Sequence, residues 1–131
     1  MNAAGSAGEH RVNILGVGVN PVSMHECLEL IAAWIDGNER RYVCLAAVHS
    51  VLECRKDPAL RRVLNSSSLT TADGMPLVWL SRLAGHPRAE RVYGADLLLA
   101  VCALSQGRGY SHYFYGADPG VAAKLVERLS G

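Results

Sequence analysis

The sequence predicts an α/β fold that is Rossmann-like, with a largely parallel sheet flanked by helices. Short apolar runs rich in β-branched residues alternate with segments whose apolar residues recur at helical spacing, and this alternation is typical of βαβ units. The chain has 131 residues, of which half are hydrophobic and 19% are charged, a composition that suits one hydrophobic core. We therefore expect a disordered leader over residues 1–10 and a single α/β domain over 11–131.

The first elements are a strand, a helix and a second strand. Residues 12–19 read VNILGVGV, a β-rich run whose glycines predict a turn at its end. Ser23 and Glu26 then have the spacing of a capping box, and apolar residues recur at helical intervals behind them until Gly37. A second apolar strand spans 41–48.

The elements that follow are marked by capping and breaking residues. Asp57 and Pro58 suit the cap and first turn of a helix, and Gly85 and Pro87 stop a later one. In chain order we expect a helical stretch from about residue 49, a short helix over 57–64, a brief strand over 69–71, a helix over 77–83, a helix over 97–105, a strand over 110–115 and a last helix that begins within 116–120.

The end of the chain predicts an unpartnered apolar face. The strand over 110–115 is aromatic and suits an inner strand, and Val121, Leu125 and Leu129 form an apolar stripe on the last helix. No further strand follows to cover them. We therefore expect a fold that is incomplete at the C-terminus, so that the isolated chain exposes an apolar edge or packs it against another subunit as a homo-oligomer.

Composition and charge exclude several classes of function. A formal net charge of +1 argues against nucleic-acid binding, which needs a clustered excess of Lys and Arg. No apolar run is long enough to span a bilayer, and none resembles a signal peptide. The four cysteines form no CxxC pair, so we expect reduced, buried thiols in a cytoplasmic protein and no metal site. They are Cys27, Cys44, Cys54 and Cys102.

Asp73 is the residue best suited to carry chemistry. A brief strand delivers it to its C-terminal end, where Gly74 and a helix follow directly. In open α/β sheets this edge binds ligands, and a carboxylate there can act as general base for an attacking hydroxyl. Asp is also a favoured N-cap, so Asp73 could cap the helix while Gly74 makes the turn. The local sequence leaves both roles open.

A second cluster combines Arg91, Gly94 and Asp96. A guanidinium can hold a diphosphate with two hydrogen bonds and stabilise its charge as it departs. Alternatively, Arg91 is a surface arginine paired with Asp96 or Glu90, and Asp96 caps the helix that follows.

Two further positions suit ligand binding. Gly116 and Asp118 join a predicted strand to a helix N-terminus, a natural seat for phosphate or ribose. His49 lies at the end of the second strand, where it either faces the edge that holds Asp73 or is a solvated helix-start histidine. Residues 15–21, LGVGVNP, lack the third glycine of a dinucleotide-binding fingerprint and are a structural turn.

Three segments together resemble the WecG/TagA/CpsF glycosyltransferases of bacterial surface-polysaccharide assembly. The order and spacing of that family are kept over about residues 12–129, which match its N-terminal part only. The segments are VHSVLECRKDPALRRVLNSSSLTTADGMPLVW, RVYGADLL and YFYGADPGVAAKLVERL. The resemblance implies an inverting transferase that needs no cofactor or metal. It would move a hexose or an N-acetylhexosamine, of N-acetylmannosamine type, from a UDP-sugar to a polyprenyl-diphosphate-linked sugar in the cell envelope pathway.

The resemblance also implies roles for individual residues. Asp73 would be the general base, and Arg91 would lie near the donor diphosphate. Contact with the inner face of the cell membrane would come through a C-terminal region beyond this sequence. The substrate-binding residues would be Arg91, Gly74, Thr71, Gly94, Asp96, Gly116, Asp118 and His49.

At two positions the chain departs from the family pattern. Many members carry a Thr and an Asn at the end of the second strand, where this chain has Leu45 and Ala47. Neither side chain can form the corresponding hydrogen bonds. This departure keeps open an alternative function, that of a non-catalytic or truncated sugar-nucleotide-binding or assembly module of the same fold.

Overall fold

A computed structural model describes residues 10–116 and 118–130, and the predicted leader lies almost entirely outside this part. The strands are β1 (Val12–Ile14), β2 (Val17–Val19), β3 (Val43–Ala46) and β4 (Leu69–Ala72). The helices are α1 (Met24–Asp36), α2 (Val48–Lys56), α3 (Pro58–Ser66), α4 (Met75–Leu83), α5 (Gly94–Ser105) and α6 (Val121–Ser130). The chain divides into two compact units, one that extends to Leu97 and one that starts at Leu98.

The described strands form two small sheets with helices beside them. β1 and β2 pair antiparallel, whereas β3 and β4 pair parallel. The mixed α/β class is therefore confirmed. The largely parallel, Rossmann-like sheet is not evident, because the parallel part of the described structure is the single pair β3–β4.

Residues 12–19 form a hairpin, so the prediction of one strand that ends in a turn was wrong. Val12 pairs with Val19, and the turn between them is Leu15-Gly16. Both turn residues have positive φ, 52° and 92°, as the two-residue turns that match the twist of a hairpin require. The Asn13 side chain accepts the Gly16 N–H at 2.8 Å. The chain therefore reverses at Leu15-Gly16, and the second glycine, Gly18, lies within β2.

Helix α1 begins and ends where its sequence predicts. The Glu26 N–H donates to the Ser23 hydroxyl at 3.1 Å, and the Ser23 N–H donates to the Glu26 carboxylate at 3.3 Å, which completes the capping box. At the other end Gly37 is the C-cap, and its N–H donates to the Ala33 carbonyl. Both local predictions are confirmed.

Helices α2 and α3 connect the two parallel strands. Helix α2 starts directly after β3, and α3 follows it at Asp57-Pro58. The Asp57 carboxylate accepts the N–H groups of Ala59 and Leu60, each at 3.1 Å, and Pro58 occupies the first turn. The predicted cap of α3 is therefore confirmed, and the crossover returns the chain to the start of β4.

The cap of α3 supports a prediction about stability. We expect Asp57→Ala to lower the free energy of unfolding by about 0.5–2 kcal/mol, because two backbone donors lose their acceptor. Asp57→Asn keeps an acceptor oxygen and should lose much less. Chemical denaturation of both variants tests this, and equal losses for Ala and Asn would show that the side-chain cap does not stabilise the helix.

The hydrophobic core of the first unit lies between the strands and the helices that cover them. Burial raises the pKa of the Cys27 thiol to about 11, and it also raises that of Cys54, so both are protonated and poor nucleophiles at neutral pH. All four cysteines are free, although Cys44 and Cys102 are only half-buried. The core residues are Ile14, Val17, Val19, Ala46, Val51, Cys54, Leu64, Ala72, Leu77, Val78 and Ala89.

Residues 110–115 do not form the predicted strand. They are irregular, and Tyr113 and Tyr115 are 90% and 94% exposed. Aromatic β-propensity is not sufficient, because a strand exists only when its backbone pairs with a neighbour, and the described part of the second unit contains no other strand. The predicted apolar inner strand is therefore absent.

The predicted last helix is confirmed as α6, but it begins at Val121 and not within 116–120, and its apolar stripe is only partly covered. Leu125 and Leu129 are half-buried and Val121 is exposed. Among the residues described, no helix combines the length and apolar character needed to cross a bilayer.

Candidate active site

Strand β4 delivers Asp73 to the end of the parallel pair. Ala46 and Ala72 are paired in the ladder, and the Asp73 N–H continues it by donating to the Ala46 carbonyl at 2.9 Å. The N-cap of α4 is Gly74, and no side chain caps that helix. The alternative role of Asp73 as helix cap is therefore not seen. Its side chain is 26% exposed, so the carboxylate is partly shielded and still within reach of a ligand.

The segment that carries Arg91 lies along the end of β4. Val92 is fully buried, and its N–H donates to the Ala72 carbonyl at 2.8 Å. Arg91 and Tyr93 on either side of it are exposed, so a buried side chain alternates with two exposed ones. Because Val92 and Ala72 are the chain neighbours of Arg91 and Asp73, this backbone hydrogen bond brings Arg91 next to Asp73.

Arg91 contacts Asp73 at two points. Its Nε–H donates to the Asp73 backbone carbonyl at 2.7 Å, and its terminal nitrogen lies 3.9 Å from the carboxylate Oδ1. The second distance is too long for a hydrogen bond, and an ion pair this exposed contributes little stability. The surface pairing with Glu90 is not seen, because the Glu90 carboxylate accepts the Met24 N–H. Arg91 is therefore anchored through its Nε, and one of its terminal nitrogens faces the carboxylate without a hydrogen bond to it.

Gly94 lies against the Asp73 carboxylate. A Cβ added at Gly94 would stand 4.0 Å from the Asp73 Oδ2 and 3.7 Å from the Leu45 Cδ2. Both are ordinary van der Waals separations. The packing would therefore accept a small side chain at position 94. Because glycine has none, one side of the Asp73 carboxylate stays open.

This geometry predicts opposite effects of Gly94→Ala on activity and stability. The added methyl group would stand beside the Asp73 carboxylate, so if Asp73 is the base, as predicted from the sequence, the turnover should fall several-fold. The melting temperature should stay equal or rise, since alanine is favoured over glycine in a helix by up to about 1 kcal/mol. Steady-state kinetics and thermal unfolding of the same preparation measure the two effects. Unchanged turnover would show that substrates do not approach Asp73 from the Gly94 side.

The other predicted site residues of the first unit differ in how far they are buried. Thr71 is fully buried within β4 opposite Leu45, and its Oγ1 has no hydrogen-bond partner among the described residues. His49 is exposed in the first turn of α2. Asp96 is exposed within the first turn of α5, which begins at Gly94, so its prediction as the helix cap was wrong. Contact of these three side chains with a substrate stays a prediction.

Gly116 and Asp118 belong to the second unit. Both are exposed, and Gly116 has a φ of +124°, which favours glycine. Because residues 110–115 form no strand, the predicted strand-to-helix junction is absent. Instead the Val121 N–H donates to the Asp118 carbonyl at the start of α6.

The two departures from the family pattern both flank Asp73. Leu45 lies beside Gly94, as described above. Ala47 is the N-cap of α2, and its Cα is 3.9 Å from a Cβ built on Gly74. Both positions therefore lie next to the glycines beside Asp73, and their side chains are apolar.

Sequence reasoning missed Tyr93 as a neighbour of this site. The Arg91 guanidinium lies over its ring, with 4.6 Å between the guanidinium carbon and the ring centroid. The available signal was their spacing of two residues in an extended segment.

Across residues 10–116 and 118–130, no three His, Cys, Asp or Glu side chains converge as metal ligands. Independence of a metal stays a prediction.

Two comparisons with known proteins agree with each other. The chain is 28% identical over 100 residues to an N-acetylglucosaminyldiphosphoundecaprenol N-acetyl-beta-D-mannosaminyltransferase of Bacillus spizizenii (strain ATCC 23059 / NRRL B-14472 / W23). The match covers 76% of this chain and 39% of that relative, so the chain spans about two fifths of the relative's length. The sequence profile of the glycosyl transferase WecG/TagA/CpsF family matches residues 12–131. Since this match extends over nearly the whole chain, the protein belongs to the WecG/TagA/CpsF family of glycosyl transferases.

Proposed function

We propose that the chain provides the base and the diphosphate-binding arginine of an inverting glycosyltransferase. The donor would be a UDP-linked hexose or N-acetylhexosamine, of N-acetylmannosamine type. The acceptor would be a sugar on a polyprenyl diphosphate, in the assembly of a bacterial surface polysaccharide. The observation that carries this proposal is the pairing of Asp73 and Arg91 at the end of a parallel strand. The name of the Bacillus relative supports the transferred sugar and the polyprenyl-diphosphate-linked acceptor.

The reaction needs two charged groups, one on each side of the reacting carbon. In an inverting displacement the acceptor hydroxyl attacks the anomeric carbon while the bond from that carbon to UDP breaks. Asp73 would take the proton of the attacking hydroxyl. Its side chain is partly exposed, so the acceptor can reach the carboxylate while the protein shields part of it from water. The negative charge that develops on UDP needs a fixed cation on the opposite side of the reacting carbon.

Arg91 is held in a way that suits the second requirement. The Asp73 carbonyl occupies its Nε–H, so the terminal N–H groups would bind the diphosphate. Gly94 leaves one side of the Asp73 carboxylate without a side chain, and Gly74 stays a candidate contact on the basis of the family resemblance. Gly116 and Asp118, as well as Asp96 and His49, stay candidate donor contacts on the basis of the family resemblance.

The alternative function is a module of the same fold that binds a sugar nucleotide without transferring the sugar. Leu45 and Ala47 favour it, because they place apolar groups next to the glycines beside Asp73, where many family members carry hydrogen-bonding side chains. This alternative predicts that UDP-sugars bind and no glycosylated product forms.

A panel assay separates the two functions. The protein is incubated with several UDP-sugars and a short-chain prenyl-diphosphate-linked N-acetylglucosamine, and UDP release is measured together with the mass of the lipid. The proposal requires UDP release and a heavier lipid with at least one donor. UDP-sugar binding in calorimetry without either product would favour the non-catalytic module.

The proposed location follows from the proposed acceptor. The enzyme would act in the cytoplasm at the inner face of the cell membrane, where a polyprenyl diphosphate presents its head group. Sedimentation with vesicles that contain the prenyl lipid, compared with vesicles that lack it, would test this.

A further inference from the structure

We propose that Tyr93 is a positioning residue that holds the Arg91 guanidinium in the position from which it can bind the donor diphosphate. This inference rests on the proposed function for the role of Arg91, whereas the contact itself is geometric. The guanidinium carbon lies 4.6 Å from the centroid of the Tyr93 ring, well within the range of a cation–π interaction.

The backbone on both sides of Tyr93 is fixed. The preceding Val92 is bonded to β4 through its N–H, and the Tyr93 carbonyl accepts the Leu97 N–H at 2.9 Å in the first turn of α5. The ring is therefore attached to a segment that is hydrogen-bonded to a strand and to a helix. An aromatic ring on such a segment is a rigid surface, since only two side-chain torsions can move it.

The Asp73 carboxylate does not hold the guanidinium by itself. The 3.9 Å separation is beyond hydrogen-bond distance, and both side chains are partly in solvent, with 47% of Arg91 and 26% of Asp73 exposed. The short contacts of Arg91 are the Asp73 backbone carbonyl, which accepts its Nε–H, and the Tyr93 ring, over which the guanidinium carbon lies. These two contacts act on different atoms of the guanidinium, so together they restrict its movement more than either contact alone.

Holding the guanidinium in advance has a consequence for affinity. A long side chain loses rotamer freedom when it binds a ligand, and a side chain that is already ordered loses less. Removing the ring should therefore weaken binding of the diphosphate even though Tyr93 need not touch it. The expected loss in UDP affinity for Tyr93→Leu is about two- to fivefold, the range expected for an exposed cation–π contact.

The contact can be tested without any substrate. In a proton–nitrogen NMR correlation spectrum the Arg91 Nε–H signal, identified by its loss in Arg91→Ala, should be displaced by the ring current of Tyr93. Tyr93→Phe should keep most of this displacement and Tyr93→Leu should remove it. An Arg91 signal that is the same in the wild type and in Tyr93→Leu overturns the inference.

The consequence for binding is tested by calorimetry with UDP as the probe. Tyr93→Leu should weaken binding and Tyr93→Phe should restore it, whereas Tyr113→Leu, at a tyrosine that is 90% exposed, should bind like the wild type. In an Arg91→Ala background Tyr93→Leu should have no further effect, because the ring acts through Arg91. If Arg91→Ala weakens UDP binding and Tyr93→Leu does not, the inference fails and the proposed function stands. If Arg91→Ala itself leaves UDP affinity unchanged, the assigned role of Arg91 fails, and Tyr93 has no ligand-binding residue to position.

Discussion

Replacing Asp73 with asparagine should lower the rate of sugar transfer by about 10²–10⁴-fold, the usual contribution of a general base. Asparagine has nearly the same shape, and the Asp73 backbone bonds to Ala46 and Arg91 do not involve the side chain. The amide cannot accept a proton from the acceptor hydroxyl at neutral pH. The loss should therefore appear in kcat, with little change in the melting temperature or in the affinity for UDP.

The control for this variant is Asp57→Asn, which makes the same chemical change at an exposed helix cap remote from Asp73 in sequence. Its transfer rate should match the wild type. Rates are measured at saturating donor and acceptor, so that binding effects do not enter. If Asp73→Asn turned over at the wild-type rate, Asp73 would be a structural residue at the start of α4 and the base would have to be sought elsewhere.

Replacing Arg91 with alanine should weaken the binding of UDP by about ten- to a hundredfold, because one charge-assisted contact to the diphosphate is lost, worth about 1.5–3 kcal/mol. The melting temperature should change little, since Arg91 is about half exposed and its ion pair with Asp73 is long. Arg91→Lys should recover only part of the affinity, because a single ammonium cannot reproduce two parallel hydrogen bonds.

Titration calorimetry with UDP measures this effect, and Arg62→Ala provides the matched control. Arg62 is an exposed arginine on α3, so its removal changes the net charge equally without touching the candidate site. Only Arg91→Ala should bind UDP more weakly. Equal affinities for the wild type and Arg91→Ala would exclude contact between Arg91 and the diphosphate.

The parts of the fold that local sequence determines could be predicted. The capping box of Ser23 and Glu26 and the cap at Asp57 each depend on residues a few positions apart, and the helices begin where these signals lie. Elements that depend on a distant partner were less predictable. Residues 12–19 could be one strand or a hairpin until the turn at Leu15-Gly16 is known, and an aromatic segment is not a strand unless a neighbour pairs with its backbone.

The candidate site divides in the same way. Asp73 could be predicted at the end of a strand because β4 is followed at once by a helix, and Arg91 was chosen for its chemistry. Their proximity depends on the bond between Val92 and Ala72, which joins segments twenty residues apart. The same bond places Tyr93 beside Arg91. The approach of Leu45 to Gly94 likewise joins residues far apart in the sequence, which no local pattern encodes.

The most direct test of the account is the mass of the lipid product when the wild type and Asp73→Asn are given the same UDP-sugar and prenyl-diphosphate-linked acceptor. We expect the wild type to release UDP and to make the lipid heavier by one sugar residue. Asp73→Asn should leave the lipid unchanged while it still binds UDP. An acceptor that gains no sugar from any UDP-linked donor with the wild type, or that gains it equally well with Asp73→Asn, would contradict the role assigned to Asp73 in sugar transfer.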